Sequence, residues 1–462
     1  MPVHPFRASA LLLLGAACGR SEAPPSARLP DASRAPPPAS VLRLPREGGP
    51  ARLYRTPTLV ESFWKETDKL PALTRVVGAD LEQRVVFALD AKDNLVGLDL
   101  ESRRSRTYLS AIRQAVVGPD GAVYAVDSGA AVTQIVRRSP VRFRAKLSGA
   151  ARELFGTLNG SLIAIPAADR GEAMALGPDQ PLGRARLPAG DAAATRLGDL
   201  VAVAADTAVV LYEPQAKQPV RSIAVSGHAR AVTFSPSGHR LYVARDRGDI
   251  LVIDRFGGDE LGTIRLPGRG RALRSDFYGS WLLVRPERGD SVWVLDLTTQ
   301  KLVGSVPSRW APDLPAVAGQ RTLLVRAGAD VRGLDLTAKG FPTTGVVRDG
   351  AADLWVPLAW LPQGEQGEIA TAADSAAAAD SAAAGPRIYL QVSSSRNPTW
   401  AKELADKLRS AGLPASVLPP RPGDEAYRVV LGPYATREQA EATGKSLGMP
   451  SFVITPQDLP AQ

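Results

Sequence analysis

The sequence predicts a multidomain chain: an all-β propeller of about seven four-stranded blades, followed by a small α+β domain of ferredoxin-like (βαββαβ) order. Three observations predict it. Short strand–turn–strand units recur at about forty-residue intervals through the middle of the chain, the spacing of propeller blades. Glycine (42) and proline (39) are abundant and aromatics make up 6% of the 462 residues, which suits short strands and turns better than long helices. Beyond an alanine-serine tract, the last residues alternate strand patterns with helical ones.

The amino terminus reads "MPVHPFRASALLLLGAAC". One basic residue, Arg7, precedes an apolar run too short to cross a bilayer, and small residues lead to Cys18. Residues 1–17 are therefore expected to be an export signal. The Leu-Gly-Ala-Ala-Cys ending resembles a bacterial lipobox, with Gly15 where that pattern most often has leucine. The resemblance implies cleavage before Cys18 and lipidation of its thiol. Cys18 is the only cysteine in the chain, so no intramolecular disulfide is possible. Residues 18–50, rich in proline and small polar residues, are expected to form a disordered tether. Export then places the protein on the periplasmic face of the cell envelope. Gly19 after the cysteine favours an outer-membrane anchor over retention at the inner membrane.

Residues 51–363 are assigned to the propeller. The segment 231–266, "AVTFSPSGHRLYVARDRGDILVIDRFGGDELGTIRL", contains four β-branched or alternating runs separated by Ser-Pro-Ser-Gly, Gly-Asp and Gly-Gly turns. Blade starts fall near 76, 114, 148, 187, 226, 267 and 307. Seven blades follow, with six or eight as alternatives. The third strand ends in an acid at Asp99, Glu213, Asp254, Asp296 and Asp335, where turn hydrogen bonds to backbone amides are expected. "LWVPLAWL" (354–361) is expected to supply a strand that closes the ring. The segment resembles the WD-type and YVTN-type propellers.

The same residues limit the chemistry. Of three histidines, His4 lies in the leader, and His228 and His239 share one blade without the spacing of a metal motif. No acidic calcium-loop motif occurs, and with its one cysteine at the lipidation position the mature chain has no thiol nucleophile. No metal, cofactor or catalytic residue is assigned. The net charge of +9 suits anionic lipids or envelope polymers, since export and the absence of a nucleic-acid motif argue against nucleic acid. The propeller reads as a platform for an unidentified protein or ligand. A catalytic propeller acting on an envelope substrate and an outer-membrane assembly scaffold are the alternatives.

Residues 364–386 form an Ala/Ser-rich linker containing a repeated Ala-Ala-Asp-Ser. The last domain is placed at 387–456, with 457–462 as a tail. "RIYLQVSS" alternates; Asn397-Pro398 opens a helix carrying Trp400, Leu404 and Leu408 on one face; "PASVLP" and "AYRVVLGPY" are strands. Thr436 and Gln439 form a capping-box pattern for a second helix, with Ala440, Gly444 and Leu447 inward, and "SFVIT" ends the domain. In this topology Tyr427, Val429 and Leu431 face the helices. Arg428 and Val430 then face the open side, together with Gln391.

"YLQVSSS", Ala411-Gly412-Leu413-Pro414 and "YRVVLGPYATREQAEA" together resemble a SPOR domain, the sporulation-related peptidoglycan-binding family. The resemblance implies binding to glycan strands stripped of stem peptides, which accumulate at division septa. It places the glycan contacts at Gln391, Ser394 and Arg428, with Tyr389 and Tyr434 as packing residues. Ser393-Ser394-Ser395 stands where the family often has Gly-Ser-Phe, a departure that bears on affinity.

Overall fold

The computed structural model describes residues 39–360 (apart from 65, 81–83 and 169–170), residue 362, and in the tail 388–395, 398–410, 413–420, 427–434, 436, 439–440, 443–444 and 452–454. The leader, Cys18 and the alanine-serine linker lie outside the described residues.

Eight four-stranded antiparallel sheets make the propeller. Seven are continuous in sequence. Blades 1 to 7 cover 73–109, 112–146, 151–186, 192–224, 229–265, 270–307 and 316–347. The eighth is composite. Its first strand, Leu354–Leu358, comes from beyond blade 7, and its other three come from the front of the chain: Ser40–Leu44, Arg52–Arg55 and Val60–Glu61. The two contributions join in an antiparallel ladder that pairs Ser40 with Leu358 and Leu44 with Leu354. The expected closing strand is therefore present, but the count is eight rather than seven. The expected tether ran five strand residues too far, because Ser40–Leu44 belongs to this closing blade. A strand whose partner is some 310 residues away leaves no local hairpin signal in the sequence.

First strands of neighbouring blades contact one another around the ring, which places them at the hub. Apolar residues from facing sheets fill each gap between blades. Leu200, Val209 and Leu211 of blade 4 meet Val232, Leu241 and Leu251 of blade 5, for example. Similar clusters join each remaining neighbour pair, including blade 7 to the closing blade through Val41, Tyr54, Leu324 and Trp355, and the closing blade to blade 1 through Leu42, Leu53, Val86 and Leu98. Closure leaves no blade face open at the ends of the ring.

Four of the five turn acids, Asp99, Asp254, Asp296 and Asp335, act as expected. Asp99 accepts from the amides of Glu101 and Ser102 at 3.0 and 2.8 Å. Asp296 accepts from Thr298 N at 2.8 Å and Thr299 Oγ1 at 2.9 Å, and Asp335 repeats the pattern on Thr337. Each carboxylate satisfies amides that the end of a third strand leaves unpaired.

The first strands of blades 1, 2, 3, 5 and 6 share a further irregularity. Near its start each carries a bulge, so that two residues oppose one on the second strand. The extra residues are Thr74, Arg113, Arg152, Arg230 and Arg271. A bulge breaks the alternation of a strand and turns its extra side chain away from the sheet stack.

The tail sheet orders its strands second–third–first–fourth, all antiparallel. One face packs against the helix Pro398–Ser410 through Leu390, Val392, Val429 and Leu431 against Ala401, Leu404, Ala405 and Leu408. At the second helix, Thr436 Oγ1 accepts from Gln439 N at 3.2 Å, the expected cap, and Ala440 is buried. Leu447 lies outside the described residues.

Candidate functional site

The central pair of the tail sheet, Ile388–Ser395 and Tyr427–Tyr434, brings the sequence-predicted residues together. Leu390 pairs with Leu431 and Gln391 with Val430. A bulge follows Gln391, after which Ser394 pairs with Arg428. Directly opposed residues of an antiparallel pair share a face. Val429 and Leu431 lie in the helix-facing core, so Val430, Arg428 and Gln391 take the other face. The bulge keeps Val392 in the core while shifting Ser394 into register with Arg428. Ser416 and Leu418 of the second strand pair with Val430 and Arg428 and extend that face.

Facing and exposure part company here. Gln391 is 1% exposed and Arg428 3%, so the face expected to be open to solvent is covered in this conformation. Alternation reports which side of a sheet a residue occupies, but not what passes over that side. Gln391 Nε2 and Ser393 Oγ are buried without a hydrogen-bond partner among the described residues. A buried amide donor left unpaired costs about 1–3 kcal/mol. Tyr434 is buried in the core, and Tyr427 is half-buried against it. Tyr427 packs as the alternation required, and Tyr434 packs as the resemblance implied.

Residues 384–455 match the SPOR domain family model. The tail is a SPOR domain. Its presence implies peptidoglycan binding in a cell-envelope setting.

The rest of the chain finds likeness in fold only. Among solved structures it is similar to AztD of Citrobacter koseri, at 13% identity over 70% of this chain and 98% of that one, with a TM-score of 0.51. The apo form of AztD gives 14% identity, the same coverage and a TM-score of 0.49. Dihydro-heme d1 dehydrogenase NirN in complex with DHE aligns at 15% identity over 71% of this chain and 78% of that one, with a TM-score of 0.45. No curated protein matches the chain.

Several of the propeller's ionisable groups are committed to structure. His228 hydrogen-bonds Asp206, while His239 sits 3.6 Å from Asp254 at the other end of the blade. Among the described residues no group of three or more His, Cys, Asp or Glu is placed to hold a metal ion. Asp276 is buried, which pushes its carboxyl up to about 6 even though it accepts from the amides of Tyr278 and Trp281. The hub holds what the sequence reading missed. Glu153 of blade 3 is raised to about 7 by burial and by Asp191. Its neighbour Arg152 approaches it at 3.6 Å. The missed signal was a recurring arginine one residue into the first strand, visible only once the bulges are counted.

Proposed function

We propose that the protein is an envelope lipoprotein that binds peptidoglycan glycan strands through its SPOR domain and presents the propeller as a binding platform. The observation that carries the wall-binding reading is the family match over 384–455, with Gln391 and Arg428 on one sheet face. An amide and a guanidinium offer the donors and acceptor that sugar hydroxyls and acetamido groups require, and Ser394 is paired opposite Arg428. Glycan entry requires that face to be uncovered, since both side chains are buried in the closed arrangement. Lipidation at Cys18 would tie the other end to a membrane, the outer one on the reading of Gly19, and stripped glycan would draw the protein to the septum.

The test is co-sedimentation of the full chain with purified sacculi, with and without amidase treatment to remove stem peptides. Binding should strengthen on the treated sacculi. Gln391→Ala should weaken it about tenfold, the loss of one or two well-placed hydrogen bonds. Failure to bind either preparation, with the SPOR domain shown folded by circular dichroism, sinks the reading.

A further inference from the structure

The bulges described above recur at one level of the hub. Each follows the first register pair of a first strand: Leu73–Asp90, Ile112–Asp127, Ala151–Pro166, Ala229–Arg245 and Gly270–Pro286. All five first strands enter the ring from the same side, so Thr74, Arg113, Arg152, Arg230 and Arg271 gather at one mouth of the central channel. Thr74, Arg113, Arg230 and Arg271 are exposed, and Arg152 is half-buried.

Most of this cationic charge is not spent on the fold. Among the described residues, the side chains of Arg113 and Arg271 have no hydrogen bond and no ion pair. The Arg152 guanidinium lies 3.6 Å from Glu153 and near Asp191, its Nε and Nη2 buried without a hydrogen-bond partner, and Arg230 lies near Asp246. Arg75, next to Thr74, has a buried Nη2 in the same condition. Three of the more buried arginines elsewhere in the propeller are tied down, while others, such as Arg186 and Arg265, lie exposed on outer strands. Arg326 is held by Asp313, Arg245 by Asp249, and Arg274 by three backbone carbonyls. The turn carboxylates Asp120 and Asp276 lie at the other mouth, each spent on backbone amides. Like charges gathered at one mouth of the channel, with most of their donors unused, describe a site whose counterion is a ligand.

We propose that this mouth of the channel binds a compact anion bearing several phosphate or carboxylate groups, gripped by Arg113, Arg152, Arg230 and Arg271. The guanidinium fork pairs bidentately with either oxyanion. Four arginines from four strands favour a ligand whose charges are clustered over one carrying a single charge. Glu153 and Asp191 lie beside Arg152. Burial lifts both carboxyls, Glu153 to about 7, so Glu153 offsets less positive charge near neutral pH than an ordinary carboxylate. The inference rests on the platform reading of the propeller and gives it a ligand class. It does not involve the tail.

The experiment titrates the full chain with tripolyphosphate, citrate and orthophosphate by calorimetry at low salt. Tripolyphosphate or citrate should bind at least about tenfold more tightly than orthophosphate, and whichever binds assigns the group. Arg113→Gln with Arg271→Gln should weaken that binding at least about tenfold. Arg186→Gln with Arg265→Gln, removing equal charge from exposed fourth-strand positions, should change it less than about twofold. Equal losses in the two double variants, equal affinity for orthophosphate, or no binding of either multivalent anion each overturns the proposal. Sacculus binding in the same variants should be unchanged, so failure here is distinct from failure of the wall-binding reading.

Discussion

Asp313 holds three elements at once. Its carboxylate receives Arg326 Nη1 and Nη2 at 3.1 and 2.8 Å and the amide of Trp355 at 3.0 Å. The pair is largely buried, with Arg326 12% and Asp313 7% exposed at the side chain. Removing one partner of such a pair strands the other charge. Asp313→Ala is expected to cost about 3–5 kcal/mol, read as a lower urea midpoint. Replacing both partners by apolar residues (Asp313→Leu with Arg326→Met) should recover part of that loss. If the double variant is no better than the single, the cost lies in packing around Trp355 instead. Glu153 behaves differently, because its folded carboxyl is raised to about 7 from an ordinary value of 4.5. A raised pKa means that the fold favours the protonated form. Its contribution is complete below about pH 4.5 and is lost as pH rises through about 7. Glu153→Gln should therefore stabilise the protein at pH 8 by about 1–2 kcal/mol, after allowance for its partial exposure, and leave it nearly unchanged at pH 4.5. Equal urea midpoints for both proteins at pH 8 would show an ordinary carboxylate there.

At the scale of elements, the closing blade decides whether the ring holds. A chain beginning at residue 39 keeps Ser40–Leu44 against Leu354–Leu358, and one beginning at residue 46 loses the strand between two neighbours. The longer chain should melt as the full protein does. The shorter one should lose cooperative melting and associate through open strand edges, visible by size-exclusion chromatography. A monomeric short form with unchanged melting would show that the ring closes without this strand. The same strand explains what the sequence could and could not disclose. Seven blade starts were legible because each blade is local: its hairpins carry Gly and Asp at the turns, and its acids recur at third-strand ends. The eighth blade is not local, and "SVLRL" between proline-rich stretches resembles a linker until its partner is known. In the tail, alternation correctly placed Val429 and Leu431 inward and Gln391 and Arg428 on the opposite face. It did not foresee their burial, nor the bulge after Gln391, because both depend on neighbours distant in sequence. The hub arginines were overlooked for a related reason. A bulge is a mismatch between two strands and has no signature in one.

Across the whole molecule, a propeller is joined to a SPOR domain, and the proposed roles of the two rest on different chemistry. On the proposed reading, the SPOR domain would address the wall through neutral hydrogen bonding supplemented by one guanidinium. The channel mouth presents clustered positive charge. These two chemistries respond differently to salt, since oxyanion binding by arginines weakens with ionic strength while amide and hydroxyl contacts change little. Raising salt should therefore release an anion from the hub before it releases the protein from sacculi.

The closing blade also settles how the molecule would carry tension. Ser40 and Leu358 are paired at the same end of their ladder, and Ser40 Oγ donates to the carbonyl of Trp360. The chain thus enters and leaves the ring at neighbouring points. A pull between its two ends would cross this one seam and bypass the other seven blades. Because both ends leave from the same end of the seam, the load would open its bonds in succession rather than shear them together. Ser40–Leu358 would yield first, and the rest of the ring would hang beside the line of force as cargo.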